Sequence, residues 1–352
     1  MKRFGRPARI AVVGTGWWAT QTHIPALRDL PAAEIAALCD VDARKLRAAA
    51  DAYGVDQTYA DHREMLASER PDAVVVATTH ATHFAVADDC LAAGAHVLIE
   101  KPMTLRAADA RALTKRAAQA GLQIVTGYPA NYRAHARVAA ALLSSGALGP
   151  IQCVQTTFNS YCIDLLAGHD RTAQGVYPVH GPGDVYSRVE QSGGGHGHLQ
   201  LTHAAGLLFF VTGLRAALVQ ARTARFGLPV DLVDTVLVEF EGGALGSVSG
   251  TSNAFVPEHR LVVGCADGGL EIDLFAGTTR IRRKGGEMES LPAAEERDLA
   301  RAPVNNLVGV ALGSELPISG HEPGWRAVEL LEASYRSAAA SGRATAVREL
   351  YA

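Results

Sequence analysis

The chain has 352 residues, 48% of them hydrophobic, with 33 Lys and Arg against 36 Asp and Glu for a net charge of −3. This length exceeds what one compact domain usually needs, so we expect two. Charges of both signs are interspersed, which disfavours a nucleic-acid partner. No apolar run approaches the roughly 20 residues that cross a bilayer. The five scattered cysteines include no CxxC pair. We therefore expect a cytoplasmic protein with free thiols and no membrane contact.

The first third of the chain alternates short apolar runs with alanine-rich helical stretches. The predicted strands are Ile10–Val13, Ile35–Leu38, Ala73–Ala77, His96–Ile99 and Gln123–Val125. The predicted helices between them are Ile24–Leu30, Ala43–Tyr53, His83–Ala93 and Ala107–Ala120. Strands and helices that alternate in this way are typical of parallel βαβ units. The sequence therefore predicts an N-terminal Rossmann domain over residues 1–127.

The pattern changes after Gly127. A helix over His135–Ser144 is followed by seven strand-like segments, which are Ile151–Phe158, Ala217–Arg222, Thr235–Phe240, Leu245–Thr251, His259–Gly264, Leu270–Ile272 and Thr279–Arg283. Turn residues such as Asp267-Gly268-Gly269 separate several of them, which favours a mainly antiparallel sheet. The predicted fold class is α/β, with a second α/β domain built on a large open sheet over residues 128–352. Its last helix, from about 323 to 340, is expected to pack back on the body.

A glycine-rich turn follows the first predicted strand. Gly14-Thr15-Gly16-Trp17-Trp18-Ala19 fits the pattern GxGxxA, in which two glycines let the backbone approach a pyrophosphate. Asp40 ends the second strand, where an acid accepts a hydrogen bond from a ribose 2′-hydroxyl and repels a 2′-phosphate. The alternative is that Asp40 only begins a turn. The context favours NAD over NADP, and further cofactor-binding residues are expected at Thr78, His83, Glu100 and Lys101.

Three motifs point to one family. Glu100-Lys101-Pro102 lies within the run Leu91–Thr104, and that run, His23–Leu27 and Asn131-Tyr132-Arg133 closely resemble the Gfo/Idh/MocA oxidoreductases. This family includes glucose-fructose oxidoreductase and inositol dehydrogenase, and the resemblance covers essentially the whole chain. It implies a Rossmann domain and an α/β domain with the substrate between them. Because the open sheet of such proteins often forms oligomer contacts, we expect a homodimer or homotetramer.

The resemblance assigns two catalytic residues. Lys101 matches the family lysine that hydrogen-bonds the reacting hydroxyl, and its neighbours disfavour the alternative of an exposed loop lysine. His203 falls on the family histidine in the stretch Gly193–His203, and histidine can accept a hydroxyl proton near neutral pH. The position of the family aspartate, however, is occupied by Leu199. Orientation of the histidine, or the proton relay, must therefore come from elsewhere.

Two residues beside Leu199 are candidates for that task. Gln200 can supply hydrogen bonds but no charge, and His198 is a third catalytic candidate because it adds a titrating group. Together with His196 and His203 it also raises the question of zinc. No Cys, Asp or Glu nearby completes a ligand set, so no metal is expected.

The segment Tyr161–Gln191 is a long insertion rich in polar and aromatic residues, among them Asp170, Arg171, Tyr177 and Tyr186. Long loops of this composition often carry function, although the segment can equally be a lid or a subunit contact. Tyr128 and Arg133 match the family region that faces the cleft. The expected substrate-binding residues are Lys101, Tyr128, Arg133, Tyr161, Asp164, His180, Gln200 and His203, which suit a carbohydrate or cyclitol.

Three functions compete at this point. The first is an NAD-dependent dehydrogenase or ketoreductase acting on a sugar, glycoside, aminosugar or cyclitol. The second keeps the cofactor but catalyses redox-neutral glycoside cleavage, an alternative that the missing aspartate keeps open. The third is a non-catalytic dinucleotide sensor, which the presence of both Lys101 and His203 disfavours.

Overall fold

The first sheet carries the glycine-rich turn. The structure is a computed structural model that describes residues 6–169, 178–291 and 298–352. Six strands form this sheet: β1 (Ala8–Val13), β2 (Ala33–Cys39), β3 (Thr58–Tyr59), β4 (Ala73–Val76), β5 (His96–Ile99) and β6 (Ile124–Thr126). They pair in parallel in the order β3-β2-β1-β4-β5-β6. This is the strand order of a dinucleotide-binding Rossmann sheet, and the predicted architecture is confirmed.

Five helices connect these strands: α1 (Ile24–Asp29), α2 (Ala43–Tyr53), α3 (His62–Glu69), α4 (His83–Ala92) and α5 (Ala107–Ala120). Four of them are confirmed to within one residue at either end, whereas α3 and the two-residue β3 were not predicted. The helix α2 shows how locally these bounds are set. The side chain of Asp42 accepts hydrogen bonds from the amides of Arg44 and Lys45, and Gly54 ends the helix in the left-handed conformation.

The second sheet has nine strands: β7 (Ile151–Tyr161), β8 (Ala216–Ala224), β9 (Val233–Phe240), β10 (Leu245–Thr251), β11 (Asn253–Cys265), β12 (Gly268–Asp273), β13 (Thr278–Arg283), β14 (Met288–Leu291) and β15 (Thr345–Ala346). Their order is β14-β13-β12-β11-β7-β10-β9-β8-β15. The pair β7–β10 is parallel, while the other pairs in this sheet are antiparallel. The predicted large, mainly antiparallel sheet is thus confirmed, with two short edge strands in addition.

One face of this sheet is covered by helices. The helices that follow β6 are α6 (Ala134–Ser144), α7 (Ile163–Leu166), α8 (Val189–Ser192), α9 (Thr202–Thr212), α10 (Ala302–Ala311) and α11 (His321–Ala339). Side chains of α6, α9 and α11 share one hydrophobic core with the sheet, in which Phe209 and Phe240 are the largest fully buried apolar side chains. The opposite face leaves Leu237 and Leu245 more than half exposed. No helix of the described residues is long and apolar enough to cross a bilayer.

The C-terminal part of the chain returns to the first sheet. Val304, Leu307 and Val308 of α10 pack in one core with β1 and β4, and Trp325 of α11 packs with residues of β5 and β6. The sequence predicted α11 but not α10, whose apolar residues show no clear alternation with polar ones. The division at residue 127 stays a prediction, and the first sheet draws part of its core from beyond residue 300.

Candidate active site

The glycine-rich turn lies where the carboxyl ends of β1 and β4 meet. Gly14 has a φ of +92°, and a Cβ there would lie 2.8 Å from the backbone nitrogen of Thr78. Only glycine fits this close approach without strain. Gly16 differs, because a Cβ on it would meet no atom within 4 Å. The second glycine therefore faces open space, as a residue beside a pyrophosphate must.

Asp40 binds the turn from the end of β2. Its carboxylate accepts hydrogen bonds from the Thr15 amide at 2.7 Å and the Thr15 hydroxyl at 3.1 Å, and from the Asp42 amide at 2.8 Å. A carboxylate offers about four acceptor positions, so one remains for a ribose hydroxyl. The residue is half-buried. Both alternatives raised by the sequence are thus compatible in one side chain, which fixes the turn and can still meet a ribose.

Glu100 is the buried anion of the site. One of its carboxylate oxygens accepts hydrogen bonds from the Trp18 indole at 2.9 Å and His23 Nε2 at 2.8 Å, and the other accepts from the Lys101 amide at 3.2 Å. Burial alone would raise the pKa of Glu100, but the His23 hydrogen bond and the nearby charge of Lys101 lower it below its usual value. Gly127 leaves room for this carboxylate, since a Cβ there would lie 2.9 Å from it.

Lys101 reaches from the edge of β5 to the second half of the chain. Its ammonium donates a hydrogen bond of 2.8 Å to the main-chain oxygen of Leu199, in the turn before α9. Burial lowers the pKa of Lys101, and the charge of Glu100 opposes that shift only in part. The residue is therefore a cation that can give up a proton more readily than an exposed lysine.

His203 lies in the first turn of α9. Its ring stacks on Phe158 with centroids 5.7 Å apart and meets the edge of Tyr128 at 6.1 Å. Burial and the positive charge of Lys101 hold its pKa well below the usual range. The imidazole is therefore neutral near pH 7, and no hydrogen bond to another described residue consumes its ring nitrogens.

The side chain of Leu199 packs away from Lys101. A π-helical turn over Gly197–Leu201 precedes α9, and Leu199 packs in an apolar cluster with Leu165, Leu166 and Leu232. Its carbonyl, not its side chain, is what meets Lys101. The Gln200 side chain donates to the Cys162 sulfur at 3.1 Å.

His196 and His198, in the same stretch as His203, contact different partners. His196 bonds Ser252 through Nδ1 at 2.9 Å, and His198 stacks on Tyr335 with centroids 4.7 Å apart. Burial lowers the pKa of each of these two histidines to about 4, although the charge of Asp231 opposes the shift. The structure thus places His198 against Tyr335, and in the described part of the chain no group of three potential ligands converges on one point.

Two predicted site residues are buried behind the cleft, where they contact its residues and not its surface. Tyr128 is 1% exposed, and its hydroxyl hydrogen-bonds Thr202 at 2.9 Å, so it lies in the core and not on the cleft surface where we expected it. His83 is fully buried and bonds the main-chain oxygens of Pro102 at 2.8 Å and Thr78 at 3.1 Å. It thereby connects α4 to the Glu-Lys-Pro turn.

The insertion is described only in part. Tyr161 is 41% exposed at the end of β7 with its ring 5.4 Å from that of Phe255, and His180 is exposed. Asp164 is half-buried in α7, and Arg133, also half-buried, precedes α6 and acts electrostatically on His259. Asp170, Arg171 and Tyr177 lie outside the described residues.

Sequence reasoning missed Asp231 and Tyr335, and it named Tyr186 only as one residue of the insertion. Tyr186 of the insertion lies with its ring 5.6 Å from His80, and His80 in turn bonds the Ser192 carbonyl at 2.9 Å. The insertion therefore covers the loop after β4. Asp231 and Tyr335 contact the turn before α9 from distant parts of the sequence. Nothing in the local sequence pattern marks either one.

The arrangement of these residues defines a class of protein. A Rossmann turn with an open second glycine, an acid at the end of β2 and a half-buried Lys–His pair at the same edge form a dinucleotide site with acid–base groups beside it. These residues fit NAD, because Gly16 faces open space and Asp40 retains an acceptor position.

The comparisons assign this class to one family. Residues 8–128 match the model described as "Oxidoreductase family, NAD-binding Rossmann fold", and residues 136–271 match the GFO/IDH/MocA C-terminal domain. The chain therefore belongs to the GFO/IDH/MocA oxidoreductases, as the sequence motifs indicated, and its cofactor is NAD.

Relatives of known name share about a quarter to a third of their residues with it. D-Apiose dehydrogenase of Paraburkholderia graminis is 29% identical over 74% of this chain, which spans 66% of that protein. A dTDP-3,4-didehydro-2,6-dideoxy-alpha-D-glucose 3-reductase of Streptomyces violaceoruber is 28% identical over 84% of each chain. The structure of an inositol dehydrogenase homologue from Azotobacter vinelandii, complexed with NAD+, superposes with a TM-score of 0.82 over 98% of each chain at 21% identity, which shows a common fold.

The two glycines of the turn give a matched pair of variants. Gly16→Ala should keep the stability of the fold and weaken NADH binding at least about tenfold, because its methyl group enters the space that a pyrophosphate needs. Gly14→Ala should instead lower the unfolding temperature, because its Cβ collides with the backbone after β4. Thermal unfolding and titration of tryptophan fluorescence with NADH measure the two effects. Unchanged NADH affinity in a folded Gly16→Ala protein would contradict the assignment.

Proposed function

We propose that the protein is an NAD-dependent dehydrogenase or ketoreductase that acts on a hydroxyl carbon of a sugar, glycoside, aminosugar or cyclitol. The observation that carries the proposal is the half-buried pair Lys101 and His203. One side chain is a cation, the other is neutral, and the charge of the first acts on the second. A cation and a neutral base at the carboxyl edge of a Rossmann sheet are what alcohol oxidation requires.

The two residues divide the work. The Lys101 ammonium is positioned to hydrogen-bond the reacting oxygen and lower the pKa of the hydroxyl, while neutral His203 accepts its proton. NAD, when bound, supplies the redox chemistry by taking or giving a hydride. In the reverse direction protonated His203 returns the proton to the oxygen.

The relatives support the substrate class. Both curated relatives described above are named for sugars or a nucleotide-linked sugar, and the structural neighbour is a homologue of inositol dehydrogenase. Redox-neutral glycoside cleavage is the second candidate, because Leu199 replaces the carboxylate that the family usually carries before the histidine. A dinucleotide sensor is the third.

A panel of sugars, glycosides, aminosugars and inositols, each with NAD, tests the proposal. One compound should reduce NAD, and Lys101→Ala and His203→Ala should each lower that rate at least about a hundredfold, since each removes a group that acts in the transition state. NADH formation is followed by absorbance. Release of sugar without NADH would establish the glycosidase, and NAD binding without turnover on any compound would favour the sensor.

The pH dependence of oxidation follows from the two lowered pKa values. His203 acts only when neutral and its pKa lies well below 6.5, so kcat/KM should stay level as the pH falls through 6.5. Lys101 acts only when protonated, so the rate should decline as the pH rises through a pKa below 10.5. The kcat/KM profile measures both limbs. An acid limb centred at or above pH 6.5 would contradict the role given to His203.

We also propose a homodimer or homotetramer formed through the uncovered face of the second sheet. Leu218, Glu239, Leu245 and Cys153 lie opposite one another across four neighbouring strands of this face, where Leu245 is 59% exposed. Leu237, 55% exposed, extends the row. Exposed apolar patches of this kind usually mark contacts between proteins. Light scattering should give two or four times the chain mass, and Leu237→Glu should reduce it; a monomer at micromolar concentration would refute this proposal.

The compartment we propose is the cytoplasm, which suits five free cysteines.

A further inference from the structure

Asp231 binds a second turn, residues 195–197 before α9, at three consecutive amides. Its carboxylate accepts hydrogen bonds from the amides of Gly195 at 2.8 Å and Gly197 at 2.9 Å, and its main-chain oxygen accepts from the His196 amide at 2.9 Å. Asp231 lies just before β9 and is 4% exposed. A single residue from a distant part of the sequence therefore fixes this turn.

The packing explains why the turn needs glycines. A Cβ on Gly195 would collide with the main-chain oxygen of Asp231, and one on Gly197 would lie 2.9 Å from the ring carbon of Tyr335 that carries the hydroxyl. The Tyr335 hydroxyl donates to both carboxylate oxygens of Asp231, at 3.0 and 3.1 Å. The carboxylate is thus enclosed by donors, and the turn can close onto it only without side chains at these positions.

The charge of the carboxylate is defined as well. Burial alone would raise the pKa of Asp231, but the amides of Gly197 and Gly195 and the neighbouring Asp234 lower it below its usual value. Burial and the charge of Asp231 raise the pKa of Asp234 well above its usual value. One negative charge therefore lies on Asp231, and Asp234 is protonated. This charge lies at the N-terminus of the π-helical turn and α9, which carry no side-chain cap of their own.

Two further hydrogen bonds connect this turn to Lys101. The Leu199 amide donates to the Gly195 carbonyl at 2.9 Å, and the Leu199 carbonyl accepts from the Lys101 ammonium at 2.8 Å. The direction of that carbonyl is set by the turn, and the turn is set by Asp231. Leu199 occupies the position at which the family resemblance implies an aspartate, so a main-chain carbonyl and not a carboxylate of this turn meets Lys101.

We propose that Asp231 is a positioning residue for Lys101, holding the Leu199 carbonyl in place as the substitute for the missing aspartate. The structural proposal concerns the ammonium alone, and only its catalytic consequence rests on the proposed function. In this arrangement a buried carboxylate outside the cleft orients a neutral acceptor inside it. The Leu199 carbonyl keeps the ammonium directed at the reacting oxygen. Because the carbonyl carries no charge, it competes less with the substrate oxygen for the Lys101 ammonium than a carboxylate would.

Asp231→Asn tests the proposal, with Asp234→Asn as the matched control. The control residue is 3% exposed against 4% for Asp231, and in the described residues its carboxyl binds none of the turn amides. Competitive labelling with acetic anhydride at a series of pH values, read by mass spectrometry of the Lys101 peptide, gives the pKa of Lys101 without any substrate. In Asp231→Asn it should fall by about half a unit to one unit, because the ammonium loses an oriented acceptor. In Asp234→Asn it should keep the wild-type value.

Activity provides the second measurement. With a substrate from the panel, Asp231→Asn should lower kcat about tenfold, while the dissociation constant of NADH, which binds the other turn, stays within about twofold. If Asp231→Asn does not fold, Asp231→Glu takes its place, since it keeps the charge and moves the carboxylate by one methylene; the same fall in the Lys101 pKa is expected.

An unchanged or raised Lys101 pKa in either folded variant would overturn the positioning role. An equal fall in Asp234→Asn would overturn it too, because it would indicate a general effect of the buried acids. Because labelling needs no turnover, absence of any substrate from the panel affects the proposed function and leaves this test intact.

Discussion

The hydrogen bond from the Lys101 ammonium to the Leu199 carbonyl connects the edge of the first sheet with the turn that begins α9. It runs between two segments that are 98 residues apart in sequence, and each is fixed by its own buried carboxylate. On one side Glu100 is held by Trp18 and His23. If either segment shifted, the ammonium would lose its orientation relative to His203, although both side chains would still be present in the cleft.

Two buried anions therefore do the orienting, and neither is free to serve as the proton acceptor. Glu100 is enclosed by an indole, an imidazole and an amide, and Asp231 by two amides and a hydroxyl. A buried carboxylate is tolerable only when its acceptor positions are filled in this way. Since three donors hold each carboxylate and its pKa lies below the usual value, neither is a good proton acceptor, which supports the proposal of His203 as the base.

The sequence was sufficient for what depends on local pattern. Alternating apolar runs and alanine-rich helices predicted the parallel sheet, the GxGxxA turn and the Glu-Lys-Pro element located the edge, and turn residues predicted the antiparallel sheet. It was insufficient where a contact joins distant residues. Asp231 and Tyr335 follow the turn they bind by more than thirty and more than a hundred positions, respectively. Tyr128 was expected in the cleft but is buried. A motif alone does not tell whether a tyrosine beside it faces the cleft or the core.

Leu199 illustrates how a missing side chain changes the physics of a site without emptying it. A carboxylate beside Lys101 would stabilise its proton strongly, whereas a carbonyl contributes one neutral hydrogen bond. With burial unopposed by that charge, the ammonium holds its proton less tightly. In the proposed mechanism the substrate hydroxyl contacts a stronger acid in Lys101 and an uncharged base in His203, and these two residues share its hydrogen bond and its proton. The replacement of aspartate by leucine is therefore compatible with oxidation–reduction, provided the turn keeps its carbonyl in place.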